Sequence, residues 1–257
     1  MDAIGQILID DISSWPIWFG VSFAGVIVGG LEILSRIIPL LFGSANQIPV
    51  KGKHLDKFET VDKAFITFNK ILTIVFVYHV IWVVGRTSTV TWEMHDITIF
   101  NTAGSLICFY LFYDLLYMSF HRMLHWRSLY PLVHKHHHRQ KAPSRGNPDA
   151  INVHPFEFLV GEYLHLLTIY VIPCHITAVV VFILAGESSL LVESFSAYFT
   201  TLSSAGGIFA SLNHTRFDIN IPGVYSVKVH DVHHRLPESN YGQYTMFWDK
   251  VTSQLNA

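Results

Sequence analysis

Eight of the sixteen histidines in this chain fall into three short clusters: His121 and His125 in HRMLH, His134, His137 and His138 in HKHHH, and His230, His233 and His234 in HDVHH. Neutral imidazole is the commonest protein metal ligand, and an all-nitrogen set suits iron, copper, nickel or zinc. On a helix, His121 and His125 project four residues apart from one face, where a single ion can be gripped by both. HKHHH and HDVHH share a second pattern, His-x-x-His-His. One-turn spacing sets its first and third histidines side by side and turns the adjacent one roughly 100° away, toward a second metal. An isolated four-spaced pair arises often by chance, and Lys135, Arg139 and Lys141 around HKHHH also fit a solvated basic run. Repetition of the His-x-x-His-His pattern argues against coincidence.

Other residues enter by their placement. Asp114 lies seven residues before His121 on the same helical face, where its carboxylate is expected to hold a ligand imidazole through its second nitrogen. His154 in VHPFEF and His214 in NHTRF flank apolar runs and are the next metal-ligand candidates. His136 is the spare of its run. His79, His165 and His175, each alone in an apolar run, read as packed and hydrogen-bonded imidazoles, His165 also as a candidate for lining a substrate path. His54 and His95 read as solvent-exposed.

The elements that must position these side chains are apolar. The 257 residues are 51% hydrophobic and only 14% charged, which favours a polytopic membrane protein. A net charge of -2 with scattered basic residues leaves no stripe for a phosphate backbone, so nucleic acid is excluded as a partner. Cys108 and Cys174 sit in separate apolar runs, which speaks against a disulfide framework or thiolate site. Asp2, Asp10 and Asp11 precede the first apolar run, unlike the basic start of a secretory signal, and no cleaved signal is expected.

A spanning helix needs about 20 mostly apolar residues. Five candidate spans meet or approach that length: Trp15–Phe42, with Glu32 and Arg36 spaced to pair, Ala64–Val84, Ile97–Tyr113, Phe158–Ala185 and Ser188–Leu212. Gly206-Gly207 in the last offers a re-entrant hairpin instead. Lys51, Lys53, Lys57 and Lys63 follow the first span, and a second basic group, from Arg122 to Arg145, follows the third. Basic short loops mark the cytoplasmic side. The expected fold is therefore an all-α, polytopic membrane helical bundle with a histidine-lined di-metal site facing the cytosol.

DLLYMSFHRMLH, LVHKHHH, VHPFEF, NHTRF, VHDVHH and the tail SNYGQYTMFWD together resemble the fatty acid hydroxylase and sterol desaturase superfamily, over roughly Phe109 to Asp249. The resemblance implies an amino-terminal transmembrane region, 1–108, and a catalytic domain, 109–257. It implies two iron ions held by His121, His125, His134, His137, His138, His230, His233 and His234, with His154 and His214 matching the additional histidines. Asn240, in the Asn-Tyr-Gly signature, enters as a residue supporting the ligands. Members are membrane non-haem di-iron oxygenases that hydroxylate, desaturate or epoxidise lipids with molecular oxygen. Their electrons usually come from cytochrome b5 and an NAD(P)H-dependent reductase, and their usual home is the endoplasmic reticulum. HPFEF and NHTRF look closer to the sterol oxidase branch, so a sterol or isoprenoid substrate is expected, with a fatty acyl or sphingolipid hydroxylase as the alternative.

Two other classes compete. A membrane zinc hydrolase of the H-E-x-x-H type needs a Glu where this chain has Arg122. A metal transporter would place its ligands near the bilayer midplane, whereas these clusters flank the spans. The topology is testable by single-cysteine labelling: Ser144 and Ser239 should both react only from the cytosolic side. Opposite sidedness would rule out one common site.

Overall fold

The computed structural model describes residues 14–86, 99–171 and 199–256. The described chain is mostly helical, and its long helices come first. α1 (Ile17–Phe42) and α2 (Thr60–Arg86) have 26 and 27 residues; α1, and α2 as far as Val83, are long and apolar enough to cross a membrane. At 1.5 Å per residue, 26 residues reach about 39 Å, more than the ~30 Å of a hydrocarbon core. Along α1 the side chains of Ile17, Val26 and Leu40 are largely exposed, an apolar surface of the kind that faces lipid or a partner. Glu32 and Arg36 pair as their spacing implies, at 3.4 Å, and Lys70 of α2 reaches the same carboxylate at 3.7 Å.

α3 (Ile99–Leu124) runs past the expected end of the third span at Tyr113 and carries Asp114 and His121 on one continuous helix. A π-helical turn (Tyr130–His134), a single 3-10 turn (His137–Arg139) and the short α4 (Asn147–Ala150) then lead into α5 (Pro155–Val171). α5 covers the start of the fourth expected span. Its continuation, with Cys174 and His175, lies outside the described residues, as does His95. α6 (Phe199–Asn213) covers the end of the fifth, and Gly206-Gly207 stands inside this helix rather than at a hairpin. A two-stranded antiparallel turn, β1 (Asn220–Ile221) with β2 (Tyr225–Ser226), delivers the chain to α7 (Val227–Arg235), and α8 (Phe247–Val251) closes the tail.

Three apolar clusters join these parts. Phe76, Val80, Phe109, Tyr113, Ile169 and Tyr244 lock α2, α3, α5 and the tail loop together. Ile38, Ile48, Leu212, Tyr225 and Val227 do the same for α1, the strap after it, α6 and the start of α7. Ile151, Val153 and Phe158 seat the approach to α5 on Ile66 and Leu72 of α2.

One polar tie stands out inside this packing. Asn69 of α2 is fully buried, and its Nδ2 donates to the carbonyls of Ile151 (2.8 Å) and Val153 (3.0 Å). Buried carbonyls stripped of a donor cost free energy that an apolar replacement cannot return. Asn69→Leu should therefore destabilise the protein by about 2 kcal/mol or more, read as an earlier unfolding midpoint in a detergent denaturation series. An unchanged midpoint would dismiss the tie.

Candidate metal centre

Nine histidines converge into two groups. His121, His125, His134, His138 and His233 form one, and His137, His214, His230 and His234 the other, with one ring nitrogen of each within 4.8 Å of those of its group. The division follows the spacing of the repeated motif. His134 and His138 share the five-histidine group while the adjacent His137 turns to the other; His230 and His234 share the four-histidine group while His233 turns away. The two groups are interleaved through shared segments.

The segment carrying HKHHH is not a regular α-helix. Its π-helical turn ends at His134 and the 3-10 turn starts at His137, so the backbone tightens just where two neighbours must face different ions. α3 carries His121 and ends at Leu124, with His125 in the following turn. α7 supplies three ligand candidates on nine residues.

Hydrogen bonds on the outer nitrogens decide what the inner ones offer. His121 Nδ1 lies 3.0 Å from the Tyr241 carbonyl, His233 Nδ1 2.6 Å from that of Ser239, His234 Nδ1 2.9 Å from that of Gln140, and His214 Nδ1 2.7 Å from that of Ala210. His134 Nδ1 lies 2.7 Å from Oε1 of the buried Glu157. A carbonyl oxygen only accepts, so the Nδ1 atoms of His121, His214, His233 and His234 carry the proton and their Nε2 atoms present bare lone pairs, and the same holds for His134 when Glu157 is ionised. These Nε2 atoms face other ring nitrogens. His121 Nε2 is 3.0 Å from His134 Nε2 and 3.1 Å from His233 Nε2, and His138 Nε2 is 3.0 Å from His134 Nε2. In the second group, His214 Nε2 is 3.3 Å from both His137 Nε2 and His230 Nε2.

Facing lone pairs repel, and a cation between them removes the conflict. Metal–nitrogen bonds of about 2.1 Å meeting at right angles separate the nitrogens by about 3.0 Å, the spacing found in the five-histidine group. Burial holds His134, His137, His138, His230, His233 and His234 well below the usual imidazole range, so they stay neutral and ready to bind a cation. His125 Nε2, His230 Nδ1 and His234 Nε2 are buried without a hydrogen-bond partner. The donor set therefore fits two metal ions with imidazole ligands.

Three expected site residues lie elsewhere. His154 belongs to neither group: its Nδ1 accepts the Phe156 N–H at 3.1 Å, capping the start of α5, and its ring packs edge-on against Phe65. Among the described residues no imidazole hydrogen-bonds Asp114. It is fully buried and its carboxylate accepts backbone N–H groups of Gln243 (3.2 Å), Tyr244 (2.9 Å) and Thr245, pinning the tail loop against α3. Since Tyr241 in the same tail receives the His121 proton, Asp114 acts on the site at one remove. Asn240 adopts a left-handed backbone (φ 60°) and ties Val229 of α7 to the carboxyl-terminal Asn256 through its Nδ2. His136 bonds Asp62 (2.9 Å) and Asn152 (3.0 Å), outside both groups. His54 is half-buried, 2.8 Å from the Ala142 carbonyl, instead of fully exposed. His165 packs on Tyr113 and accepts the Tyr244 hydroxyl at 3.0 Å.

Glu157 was missed at the sequence level, although an acidic residue inside VHPFEF, at the edge of an apolar run, was its signal. The supporting carbonyls left none, because any residue carries one.

Residues 106–253 match the family model described as fatty acid hydroxylase. The chain is 29% identical over 143 residues to a Delta(7)-sterol 5(6)-desaturase of Eremothecium gossypii and 28% identical over 153 residues to a lathosterol oxidase of Rattus norvegicus. It is 26% identical over 156 residues to a very-long-chain aldehyde decarbonylase of Oryza sativa subsp. indica. These matches cover 56%, 57% and 56% of the chain but only 35%, 43% and 22% of the respective relatives, so the chain spans less than half their length. No solved structure matches.

The Glu157–His134 contact gives a direct test. Glu157→Gln can still accept the His134 N–H but cannot ionise when a cation binds, and Glu157→Ala offers no acceptor. Losses of supporting partners cost about 10- to 100-fold in metal affinity or activity; Gln is expected at the mild end and Ala at the severe end. Equal iron affinity in wild type and Glu157→Ala would remove Glu157 from the site.

Proposed function

Since the chain belongs to the fatty acid hydroxylase family, we propose that it is a membrane di-iron oxidoreductase that uses dioxygen to hydroxylate, desaturate or epoxidise a lipid, with a sterol or isoprenoid as its substrate. The observation that carries this reading is the convergence of nine imidazole nitrogens into two groups, with eight of the nine rings buried. Zinc sites use three or four protein ligands and zinc does not change oxidation state; the five imidazoles of one group exceed that pattern, and both groups fit iron. Held by His121, His125, His134, His138 and His233 on one side and His137, His214, His230 and His234 on the other, two irons would supply the redox chemistry that dioxygen requires.

The chain's own residues do the rest. Nδ1 hydrogen bonds to Glu157, Tyr241, Ser239, Gln140 and Ala210 fix ring orientation and tautomer. On the α3 side of His121 an aromatic wall of Tyr117, Tyr113 and Tyr244 keeps water away, with Tyr117 5.3 Å from the His121 ring. α1 and α2, apolar and long enough to span, would hold this site beside the bilayer, so that a lipid reaches it without crossing water. The sterol preference draws support from the desaturase and lathosterol oxidase relatives; the decarbonylase relative favours a long alkyl chain as the second reading. In a eukaryotic cell the setting would be the endoplasmic reticulum with the site toward the cytosol, and cytochrome b5 or a similar carrier with its NAD(P)H-dependent reductase would deliver the electrons.

Iron content and lipid profile test the proposal together. Purified chain should hold close to two irons, and His137→Ala should abolish conversion of a sterol or isoprenoid lipid in cells expressing the gene. His136→Ala, altering a residue outside both groups, should be far milder. Equal loss in the two variants, or tightly bound zinc in place of iron, would sink the assignment.

A further inference from the structure

The four-histidine group is assembled from three separate segments, and two of them are joined by a buried ion pair that no motif announced. Arg216 lies two residues after His214, and Asp231 lies one residue after His230. Both side chains are buried, and the Arg216 guanidinium donates through Nη1 to the Asp231 carboxylate. The other face of the guanidinium is used as well. Nε and Nη2 donate to the Ile48 carbonyl at 3.2 and 3.0 Å, and Nη2 also reaches the Pro49 carbonyl at 2.7 Å. The remaining carboxylate oxygen of Asp231 takes Arg235 at 3.3 Å, one turn further along α7.

The backbone reinforces this junction. Ile48 donates its N–H to the Arg216 carbonyl at 2.7 Å, Asp218 donates to Asn46 at 2.7 Å, and Gln47 pairs with Phe217 in an antiparallel bridge. The strap that follows α1, a segment outside residues 106–253 shared with the family, is thus fastened to the chain between His214 and α7.

We propose that Arg216 and Asp231 are positioning residues for the four-histidine group, holding His214 and His230 at bonding distance for one metal while leaving the five-histidine group intact. The proposal rests on the two-metal reading above. His230 is the ligand candidate most in need of such a hold. Its Nδ1 is buried and has no partner, so its ring is placed by the position of α7 rather than by a hydrogen bond of its own. His214 Nε2, 3.3 Å from His230 Nε2, is anchored locally by the Ala210 carbonyl. The distance between these two rings therefore depends on the link between their segments. In the five-histidine group, His121, His134 and His233 are each fixed by their own acceptor, and His121, His125, His134 and His138 come from segments that the ion pair does not join.

Stability alone does not account for the pair. A buried ion pair can often be exchanged for apolar residues of similar volume at little or no cost in stability. What such residues cannot supply is the planar, directional fork with which arginine fixes a carboxylate and two carbonyls at once, and lysine offers only a single point charge in its place.

Two variants test the proposal on the full chain in detergent, titrated anaerobically with iron(II) alone and read by metal analysis. Arg216→Lys keeps the charge and loses the fork. The double variant Arg216→Met with Asp231→Leu removes both charges of the pair so that neither is buried alone, while the partly exposed Arg235 turns to solvent and the Ile48 carbonyl loses its Arg216 donors. Wild type should bind two irons per chain. Each variant should keep one at unchanged affinity and bind the other at least about tenfold more weakly, with folded helix content by circular dichroism. Two irons of unchanged affinity in the double variant would overturn the proposal, and so would a folded double variant that loses both. Wild type that takes up fewer than two irons would instead remove the two-metal reading and this proposal with it.

Discussion

Lone pairs that face one another across about 3 Å in a dry interior repel unless a cation lies between them, and the rest of this structure is arranged around that constraint. Each imidazole that offers Nε2 must keep its proton on Nδ1, and a buried N–H needs an acceptor. The acceptors come from distant parts of the chain: Tyr241 and Ser239 from the tail, Gln140 from the loop after HKHHH, Ala210 from α6, Glu157 from α5. The fold around the site is in large part the placement of these oxygens. Glu157 alone among these acceptors is a side-chain carboxyl, and burial pushes its pKa well up, so a cation bound beside His134 is what would favour its ionised form: it orients His134 and, once ionised, raises the basicity of its free nitrogen.

That requirement also explains where regular structure stops. A continuous α-helix through HKHHH would place His137 and His138 about 100° apart on one cylinder, with all their backbone N–H groups spent on the helix. The π-helical turn before the run and the 3-10 turn within it change the pitch locally. The loop that follows frees the Gln140 carbonyl for His234. α7 stays α-helical; beyond its first turn its N–H groups are satisfied internally, and Val227 at its start donates to the Ile219 carbonyl. It is therefore held from outside, through Asn240 at the Val229 carbonyl and Asp231 at Arg216.

The sequence made the ligand candidates legible and left their supports obscure. His-x-x-His-His carries its geometry in its spacing: helical rotation divides His230 and His234 from His233 on α7, and in HKHHH the same division of His134 and His138 from His137 is made across a π-helical and a 3-10 turn. His154 misled because proximity to an apolar run places a residue at a membrane face without saying which way its ring points; the free N–H of Phe156 at the start of α5 claimed it. Asp114 misled in a more instructive way. Seven residues before His121 it does lie toward the site, yet three backbone N–H groups of the tail loop outcompete an imidazole for a buried carboxylate, because together they satisfy more of its lone pairs. Two long apolar helices were visible as composition. The irregular turns were not, since they are set by contacts with segments a hundred residues away.

Contacts from the amino-terminal third bear on the same site. Asn69 of α2 holds the carbonyls just before α5, and α5 carries Glu157. Asp62 at the start of α2 takes His136, in the middle of the run that supplies His134, His137 and His138. Ile48 and Pro49 take Arg216 beside His214. The ties of Asp62 and of Ile48 and Pro49 end within three residues of a ligand candidate, that of Asn69 ends at Val153 four residues before the acceptor Glu157 and at Ile151 six before it, and each begins in a segment beyond the stretch matched by the family. Apolar helices that merely held the protein near lipid would need no such buried polar contacts, because packing against α3 and α5 would suffice. Directional bonds from α2 and the strap set distances instead, and a site that works through nitrogen separations near 3 Å depends on distances. α2 and the strap after α1 are therefore part of the scaffold of the candidate metal centre, and both long apolar helices are candidates for placing it beside the bilayer.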